Sequence, residues 1–600
     1  MGETRQLGLV VGAGLTIGLV TLILIPVLAP LFAGSLAVSS YEAVLYENGT
    51  LSEQYTYNVG SSWEYSMLYR YWEAPLTLND STQPYVRLIS MTPAPGTIGY
   101  IKDNSGNVTI YGPSTAGIYR NWIKNNALYN EVGIFNPSSY NAGTYTAQYT
   151  YVIHPPLEQD ATTTHLNLKL AGETHIPYRS VKITVPASGI DKVYAYPPSL
   201  HTEKVGDGYV ITGSLAANEI LAVEMLGTSE GFSSFPGFRT PVDDVSGKTA
   251  AAVFSNTLPY YAANLVDFLG TIAIILVPLS FFVIYSRYGR EKAFTVPAYL
   301  STMPSTTLKP WQVNLLFKAD ALSFDKEGYY ATLLDLHRRK LIAIKEKGEG
   351  KGIEIRVLSE QVSDPYEQRV LAFIAEVSEN GVLDTDRIEA LAKKAKHSRR
   401  AEETTLAYQR SLANVTKKVD TALGNQYVVN GRHRLIPPLT VGIALLGIAI
   451  ITFLVAPTVR YIAGPALVIW VVVCVQVAIA FAAPSTLFGR WKDDRYKEKL
   501  EWDAFAHFLS NMAMIQKYTP ADLSMWGDWL IYGTALGVGE KVEKAMQSLN
   551  VRVADVGIPV GAVGMNHAFI PLIAFTSPSH GGGFGGGGGG GFGGGGAGGR

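Results

Sequence analysis

Cysteine and charge are both scarce in this sequence, and each shortage limits what the chain can be. Cys474 is the single cysteine among 600 residues, and it lies inside an apolar run. No intramolecular disulfide can therefore form, and no cysteine-based metal cluster is available. Charged residues make up 16% of the chain, against roughly a quarter in ordinary soluble domains. With 47% hydrophobic residues, this balance indicates membrane spans joined to polar but weakly charged domains.

The sequence also lacks the patterns of the common metal sites. His154, His165, His175 and His201 all fall within residues 39–261, but their spacing matches no metal-ligand pattern. The His-Glu-x-x-His motif is absent from the whole sequence. We therefore interpret the four histidines as surface or strand residues, and the sequence assigns no catalytic residue, no cofactor and no metal site.

Long apolar runs are what the sequence does contain. A helix needs about 20 residues to cross a hydrocarbon core, and residues 7–38, 265–285, 436–455 and 462–483 meet this length. None of these runs has a charged residue at its middle, where one costs ~2.5 to 3.5 kcal/mol on insertion. Buried helices of a soluble protein, the alternative interpretation, seldom give four such stretches. We predict four transmembrane helices.

The first run has two interpretations. Residues 1–38 form a retained signal anchor or a cleaved signal peptide, because Ser35, Leu36 and Ala37 resemble a signal-peptidase site. The run is longer than a usual signal core of roughly 7 to 15 residues, and Pro26 and Pro30 interrupt it. These features favour the anchor. Cleavage would leave three spans and the same topology.

Basic residues beside the spans predict the orientation, since Lys and Arg are retained on the cytoplasmic side. They are Arg287, Arg290, Lys292, Arg432, Arg434, Arg490, Lys492 and Arg495. Residues 39–261 hold 12 Lys and Arg against 19 Asp and Glu, whereas residues 286–435 hold 25 against 19. We expect a multi-pass protein of the cell membrane, with residues 39–261 extracytoplasmic and the C-terminus cytoplasmic.

The sequence of residues 39–261, the region expected outside the membrane, is typical of β-strands. Residues 144–153 are rich in β-branched and aromatic side chains, and Val181, Ile183 and Val185 alternate with polar neighbours. Pro, Gly, Asn and Ser interrupt the strands at short intervals, as at residues 93–96. We predict an all-β, sandwich-like domain over residues 39–261.

The cytoplasmic domain, residues 293–434, is expected to be mostly helical with a winged-helix-like part. Helices at 310–317 and 323–340, the latter capped by Ser323, precede strands at 341–345 and 353–358 that flank a glycine turn. The basic residues Arg338, Arg339 and Lys340 would suit nucleic acid, but they also suit the negative pole at the end of a helix. Nearby acidic residues dilute the patch, so we favour a protein partner over nucleic acid.

The remaining segments complete the domain map. A long charged stretch over residues 384–423 indicates a solvated helix or stalk, and residues 490–550 form a cytoplasmic helical segment. Residues 581–600 are nearly all glycine and are predicted to be a disordered tail.

Several of these features together resemble a family of predicted membrane proteins, domain of unknown function 2207, or YciQ-like. The resemblance rests on residues 143–151 (GTYTAQYTY), Pro297, Pro304 and Pro310, residues 330–336 (YATLLDL) with 341–344 (LIAI), residues 529–541 (WLIYGTALGVGEK), and the Gly/Phe tail. It implies architecture and membrane location, but no activity and no site residue. Gly533 departs from the alanine that the family prefers, and glycine costs ~1 kcal/mol within a helix, which leaves the length of that helix open.

For function, we expect a binding or coupling protein rather than an enzyme. The β domain would bind a ligand of the cell envelope, and the inner domain would bind a cytoplasmic protein, with the lipid bilayer between them. The alternatives are an envelope enzyme that uses acidic residues such as Asp243 and Asp244, and a transporter component. Adjacent acids in a loop are more often solvated than catalytic, and Gln476 is the single polar candidate for an ion path.

Overall fold

The computed structural model describes residues 3–28, 34–348, 352–395, 397–517, 523–575 and 597–600. Its contacts divide the chain into two units. The first, here called the β unit, comprises the described residues of Gly14–Val277, Leu439–Gln476 and Gly587–Arg600. The second, the helical unit, comprises those of Met1–Ala13, Pro278–Pro438 and Val477–Gly586.

Seventeen strands of the β unit lie between its first and second long helices, and an eighteenth comes from the end of the chain. The strands are β1 Leu36–Leu45, β2 Thr50–Val59, β3 Met67–Tyr71, β4 Leu76–Thr77, β5 Tyr85–Thr92, β6 Ile98–Lys102, β7 Val108–Tyr111, β8 Glu131–Phe135, β9 Gly143–His154, β10 Pro156–Gln159, β11 Thr163–Ala171, β12 Tyr178–Pro186, β13 Ile190–Tyr196, β14 His201–Val205, β15 Gly208–Leu215, β16 Leu221–Thr228, β17 Phe238–Pro241 and, near the chain end, β23 Ala597–Gly599. A short helix, α2 Arg120–Asn126, lies between β7 and β8. The structure confirms the predicted β-rich domain.

These strands form three sheets that share one core, and the third sheet packs a second, smaller core with α2. Their orders are β14-β15-β12-β1-β2-β9-β5-β4, β13-β16-β11-β10-β17 and β23-β3-β8-β6-β7. Burial alternates along β2, as expected for a strand with one face on the core. The buried face of β2 carries Tyr55 and Tyr57, which pack with Tyr41, Tyr149 and Tyr178. The core of this domain is therefore unusually rich in tyrosine.

Among the described residues, four helices are long and apolar enough to cross a membrane. They are α1 Glu3–Leu28, α3 Val245–Ile284, α10 Ile436–Val455 and α11 Arg460–Ala482. Each contributes one end to each unit. Two predicted boundaries were wrong. The first run does not reach Val38 as a helix, because residues 36–38 open β1, and the β domain does not extend to residue 261, because α3 begins at Val245.

Hydrogen bonds to Asp160 of the β domain and to Asp244 mark the early start of α3. The N–H of Val245 donates to Asp160 of the β domain at 3.0 Å, and the Asp244 carboxylate accepts from the N–H of Gly247. Acidic side chains in these positions satisfy N–H groups at the start of a helix. At 40 residues α3 is about 60 Å long, roughly twice the thickness of a hydrocarbon core.

Within the β unit, α11 lies against the other three long helices. Its residues Ala466, Ile469, Trp470 and Val473 are buried among side chains of α1, α3 and α10. Gln476, also buried, donates from Nε2 to the carbonyls of Gly14 and Ile274, each at 2.9 Å. The one polar residue that the sequence offered for an ion path is thus bonded to the backbones of two neighbouring helices.

The helical unit packs short helices around one aromatic core. The helices are α4 Pro310–Val313, α5 Lys326–Arg338, α6 Pro365–Val377, α7 Thr385–Lys394, α8 Arg399–Thr416, α9 Ala422–Tyr427, α12 Arg495–Ser510, α13 Met512–Ile515, α14 Leu523–Ala535, α15 Gly539–Ser548 and α16 Ala562–Ile573. Strands β18 Ile342–Glu346 and β19 Ile353–Val357 form a hairpin, β20 Leu383–Asp384 joins β19, and β21 Val428–Val429 pairs with β22 Arg490–Trp491. Trp502, Trp526 and Trp529 are buried in the core.

Several predictions for this unit need correction. Asp325, and not Ser323, caps α5, because its carboxylate accepts from the N–H of Glu327 at 3.1 Å. The predicted stalk over 384–423 is divided into α7, α8 and α9, and Leu412 and Val415 of α8 join the core. The helix-helix-hairpin order is present, while its winged-helix identity stays a prediction.

Two glycine-rich predictions fall partly outside the described residues. Residues 349–351 of the predicted hairpin turn and 581–596 of the tail are not described. The last residues of the tail contradict the predicted disorder, because Ala597–Gly599 forms β23 on β3. Helix α14 continues through Gly533, where an added Cβ would lie 3.1 Å from Cγ2 of Val542, so close packing explains the small residue.

Candidate functional site

A cavity of about 190 Å³ opens in the β domain, and we call it the β-domain cavity. Its wall includes Arg70, Trp72, Tyr85, His154, Asn167 and Lys169. Arg70 lies near the end of β3 and Trp72 directly follows that strand, Tyr85 starts β5, His154 ends β9, and the other two residues lie on β11. The volume is below the roughly 300 to 1,000 Å³ of sites for drug-sized ligands. The cavity therefore suits a small molecule or one group of a larger one.

Arg70 forms the charged part of this wall. Arg70 is 1% exposed. Its Nε donates to Glu53 at 3.4 Å, and its guanidinium lies 3.8 Å from the ring centre of Trp72. Glu53, on β2, also accepts from the hydroxyl of Tyr41 at 2.7 Å. A buried guanidinium remains protonated, so Glu53 is needed to balance its charge.

Two hydrogen-bond donors on the wall are not used by the pairing of Arg70 with Glu53. Among the described residues, neither Nη2 of Arg70 nor Nε1 of Trp72 has a hydrogen-bond partner, although both atoms are buried. Buried polar atoms are nearly always bonded, and an unbonded one costs free energy. Both atoms are inaccessible to solvent, so a ligand that carries acceptor oxygens would bond them only after the side chains of the wall shift.

His154 adds a ring nitrogen that can accept or donate a hydrogen bond. Its ring stacks on Tyr85 with centroids 4.2 Å apart and planes 11° apart, and its Nδ1 has no partner among the described residues. Burial, together with the positive charge of Arg87, lowers the pKa of His154. The imidazole is thus neutral near pH 7.

The charges at the cavity nearly balance. Lys169 forms an ion pair with Glu73 at 3.2 Å, and the Arg70 and Glu53 charges offset each other. No strong field of one sign therefore selects a highly charged ligand. Hydrogen bonds from aligned donors would provide the selectivity instead.

The other predicted histidines are not brought to this cavity. His165 lies between Glu158, at 3.0 Å from Nδ1, and Glu224, at 3.7 Å from Nε2. Burial alone would lower the pKa of His165, but its contacts with Glu224 and Glu158 raise it overall. His175 bonds backbone carbonyls and His201 lies exposed on β14. In the part of the chain that the structure describes, no group of three potential ligand residues could hold a metal ion.

Asp243 and Asp244, the acidic residues considered for an envelope enzyme, directly precede α3. Asp244 accepts from the N–H of Gly247 at the start of α3, and it is exposed, as is Asp243. Neither lines the β-domain cavity. Asp244 therefore lies at a helix start, whereas Asp243 lines a separate cavity of about 430 Å³ together with Asp160 and Arg239.

Sequence patterns did not identify Glu53 and Arg70. A usable signal exists, because Glu53 occupies an inward position of β2 between Leu51 and Tyr55. A charged residue in an otherwise buried row requires a buried partner. The identity of that partner depends on a strand from another sheet, which local periodicity does not specify.

The helical unit has a larger cavity, of about 860 Å³. Its wall carries both signs of charge, from Glu3, Lys318, Asp320, Arg432, Lys499 and Asp503. Asp320 accepts from Arg432 at 2.9 Å and from the N–H of Ser485 at 3.1 Å. Lys499 pairs with Asp503, whereas Glu3 accepts from the hydroxyl of Tyr285.

The basic residues considered for nucleic acid are also engaged within the helical unit. Arg338 pairs with Asp335 and with Asp528, and Arg339 pairs with Asp335 at 2.9 Å and with Glu367 at 2.6 Å. Releasing these guanidinium groups for phosphate would break existing ion pairs. Lys340, at the end of α5, has a positive φ of 62°.

Comparison with known proteins gives matches to two family models. Residues 37–227 match the model described as predicted membrane protein (DUF2207) N-terminal domain, and residues 296–546 match the corresponding C-terminal domain. No curated protein matches the chain.

Similar solved structures include two M1 zinc metallopeptidases. One is from Deinococcus radiodurans (12% identity, 32% of this chain and 42% of that chain, TM-score 0.19). The other is a two-domain M1 zinc metallopeptidase mutant bound to L-tryptophan amino acid (12% identity, 32% and 43%, TM-score 0.18). This chain spans less than half the length of either, and scores this low carry no argument about its fold or chemistry.

Proposed function

This chain belongs to the DUF2207 family of predicted membrane proteins, and from that premise we propose that its β domain binds a small, oxygen-rich ligand outside the cell membrane. A single saccharide ring is the ligand class that we favour. The helical unit, on the cytoplasmic side, binds a protein partner. In this proposal the chain couples an envelope ligand to a cytoplasmic protein without an enzymatic step.

The observation that carries the ligand proposal is the pair of unused donors at the β-domain cavity. Nη2 of Arg70 and Nε1 of Trp72 lack partners among the described residues, and His154 offers a neutral ring nitrogen. Saccharides present many acceptor oxygens and little charge, which matches a donor-rich wall whose charges balance.

The proposed sidedness draws support from contacts inside each unit. In the β unit, the hydroxyl of Tyr461 at the start of α11 donates to Glu219 of the β domain. The short link between α10 and α11 is therefore on the β-domain side. In the helical unit, the hydroxyl of Tyr285 donates to Glu3 at 3.2 Å, so the start of α1 and the end of α3 lie together. Both contacts agree with the distribution of basic residues.

Retention of the first helix is part of the proposal. Gly14 of α1 accepts a hydrogen bond from the buried amide of Gln476. A Cβ at Gly18 would lie 2.9 Å from both Nε2 of Gln476 and the carbonyl of Ile274. Loss of α1 would expose this polar amide to lipid, which is costly. Small residues at such contacts allow close approach of membrane helices.

A protein partner on the cytoplasmic side is supported by the state of the basic residues. Arg338 and Arg339 are already paired with carboxylates, so they are poor phosphate ligands. The helix-helix-hairpin order over residues 310–357 suits a winged-helix-like interaction module.

Binding to the β-domain cavity can be tested on the purified full-length protein in detergent. Isothermal titration with hexoses, amino sugars and uronic acids should identify at least one ligand. The variant His154→Phe keeps the ring stacked on Tyr85 but removes its nitrogens, and we expect it to weaken binding by about tenfold, or ~1.4 kcal/mol. His201→Phe, on exposed β14, is the matched control. Absence of binding by every saccharide, or equal affinities for both variants, would overturn the proposal.

A further inference from the structure

One face of α3 presents a regular row of large, exposed apolar side chains. Seven of them, all in the β unit and 37% to 67% exposed, form the row: Phe254, Leu258, Tyr261, Leu265, Phe268, Ile272 and Ile275. They follow one another at intervals of alternately four and three residues over three heptads. We call this row the α3 stripe. A period of 3.5 residues held for three heptads is typical of the seam between two supercoiled helices.

The opposite face of α3 is occupied within the β unit. Val266 and Ile274 are buried together with residues of α11, and the carbonyl of Val266 accepts from Nε1 of Trp470 at 3.0 Å. A Cβ at Gly270 would lie 2.9 Å from Cγ2 of Ile469, so the two helices are in close contact there. The packing of α3 inside the chain therefore leaves the α3 stripe on its outward side.

Lipid can cover only one part of the α3 stripe. The apolar span predicted from the sequence begins at Leu265, and a helix rises about 1.5 Å per residue. Leu258 then lies about 10 Å and Phe254 about 16 Å before the start of the span, toward the β domain. The headgroup layer extends only roughly 5 to 8 Å beyond the hydrocarbon core. Phe254 and Leu258, 67% and 51% exposed, therefore project into water unless another polypeptide covers them.

The residues beside the α3 stripe suit an identical helix as the partner. Two identical helices bring equal charges together, so charged residues at these flanking positions would repel. All six flanking positions are uncharged: Ser255, Thr257, Ala262, Asn264, Leu269 and Thr271. The hydroxyls of Ser255 and Thr257 and the amide of Asn264 donate to backbone carbonyls within α3 itself. Their donors are bonded already, which lowers the cost of burying them.

The area of the α3 stripe is sufficient for a specific contact between two copies. Phe254, Tyr261 and Phe268 are each about three-fifths exposed. An aromatic side chain buries about 150 to 250 Å², so these residues would bury roughly 550 to 950 Å² in two copies. The four aliphatic residues of the stripe raise the total toward the about 1,200 Å² of the smaller specific interfaces.

We propose that this chain forms a parallel homodimer in which the α3 stripes of two copies pack together as a left-handed coiled coil. Both copies cross the bilayer in the same direction, so a twofold axis places each residue of the stripe against its equivalent. The coiled coil begins inside the membrane and continues into water on the side of the β domain. Burial of Phe254 and Leu258 there provides a hydrophobic driving force that lipid-exposed helices lack.

Disulfide cross-linking of the full-length chain in native membranes tests this contact. Single cysteines replace Leu258 or Tyr261 on the stripe, or the exposed Ala252 off the stripe, in a Cys474→Ala background. After mild oxidation, Leu258→Cys and Tyr261→Cys should form a covalent dimer in at least tenfold higher yield than Ala252→Cys. Equal yields at the three positions, or no covalent dimer at any of them, would overturn the proposal.

A charge placed in the seam provides the second measurement. Phe254→Glu, added to the Tyr261→Cys chain, brings two carboxylates together in the dimer and should lower the cross-linking yield at least tenfold. Ala252→Glu adds the same charge off the stripe and should leave the yield unchanged. An undiminished yield with Phe254→Glu would contradict the coiled coil. Stripe cysteines that resist a water-soluble maleimide but form no covalent dimer would show that a different polypeptide covers the stripe, which would overturn the claim of a second copy.

Discussion

The β domain and the helical unit handle buried charge in different ways. The β domain buries isolated pairs, Glu53 with Arg70 and Glu131 with Arg600, among tyrosines. The helical unit joins its charges into networks, in which Lys309 and Arg339 share Glu367 and Arg339 also binds Asp335. In these two β-domain pairs each cation depends on a single carboxylate.

This difference predicts how each unit responds to the loss of one charge. Buried donors without a partner occur in both units among the described residues, at Nη2 of Arg70 in the β domain and at Nε of Arg432 in the helical unit. Unbonded donors therefore do not distinguish the two units. The number of cations that share a buried carboxylate does, because a shared carboxylate keeps a partner when one cation is removed.

The largest expected effect comes from breaking the isolated pair in the β domain. Glu53→Gln leaves the buried guanidinium of Arg70 without a counter-charge, and removal of one partner of a buried pair costs about 3 to 5 kcal/mol. The unfolding midpoint of the full-length protein, followed through its β-sheet signal, should fall accordingly. Glu42→Gln, exposed on β1, is the control, and equal midpoints for the two variants would contradict the comparison.

A smaller effect is expected in the helical unit. Arg339→Ala removes one cation from Glu367, but Lys309 remains 3.0 Å from the same carboxylate. We expect a loss of about 1 kcal/mol in the free energy of unfolding, measured by denaturant titration. Arg399→Ala, whose ion pair with Glu403 is exposed, should change stability less. A loss as large as that of Glu53→Gln would refute the idea that the network shares its charges.

Gln476→Leu should have a smaller effect still. Hydrogen bonds between membrane helices contribute about 0.6 kcal/mol on average, and the substitution removes two such bonds to Gly14 and Ile274. Unfolding in detergent compares this variant with Val475→Leu, which lies on the exposed side of α11. If Gln476→Leu abolished folding altogether, the amide would have a role beyond helix packing.

The smallest effect is a pH dependence that belongs to the β domain. The pKa of His165 is raised above 6.5 in the folded protein, so its pairing with Glu224 and Glu158 stabilises the fold. This stabilisation is complete below the pKa that His165 has in the unfolded chain. That stabilisation is lost as pH rises through the folded pKa. The difference in unfolding midpoint between the wild type and His165→Gln should become smaller between about pH 6 and about pH 8. A difference that grows with pH would show that the sign is wrong.

The sequence predicted the membrane helices well because hydropathy is a local property. Residues 436–455 coincide with α10, and residues 462–483 differ from α11 by two residues at one end and one at the other. The first 20 residues of α3 were missed, because residues 245–264 contain too many polar residues to read as a span. The N–H of Val245 at the start of this segment bonds Asp160, which is distant in the sequence.

The candidate site was less accessible to sequence reasoning. The inward position of Glu53 signals a buried charge, but Arg70 meets it from a different sheet. Likewise, Glu131 and Arg600 are separated by 469 residues, and nothing in a glycine-rich tail predicts a strand. Sites assembled from distant strands require the register of the sheets, which periodicity does not supply.

The account as a whole depends on the β domain and the helical unit lying on opposite sides of the membrane. Single cysteines at the exposed positions Glu47 and Arg399, in a Cys474→Ala background, measure this directly in intact cells. A membrane-impermeant maleimide added from outside should label Glu47→Cys and leave Arg399→Cys unlabelled until the membrane is permeabilised. Labelling of Arg399→Cys in intact cells, with Glu47→Cys protected, would contradict the account.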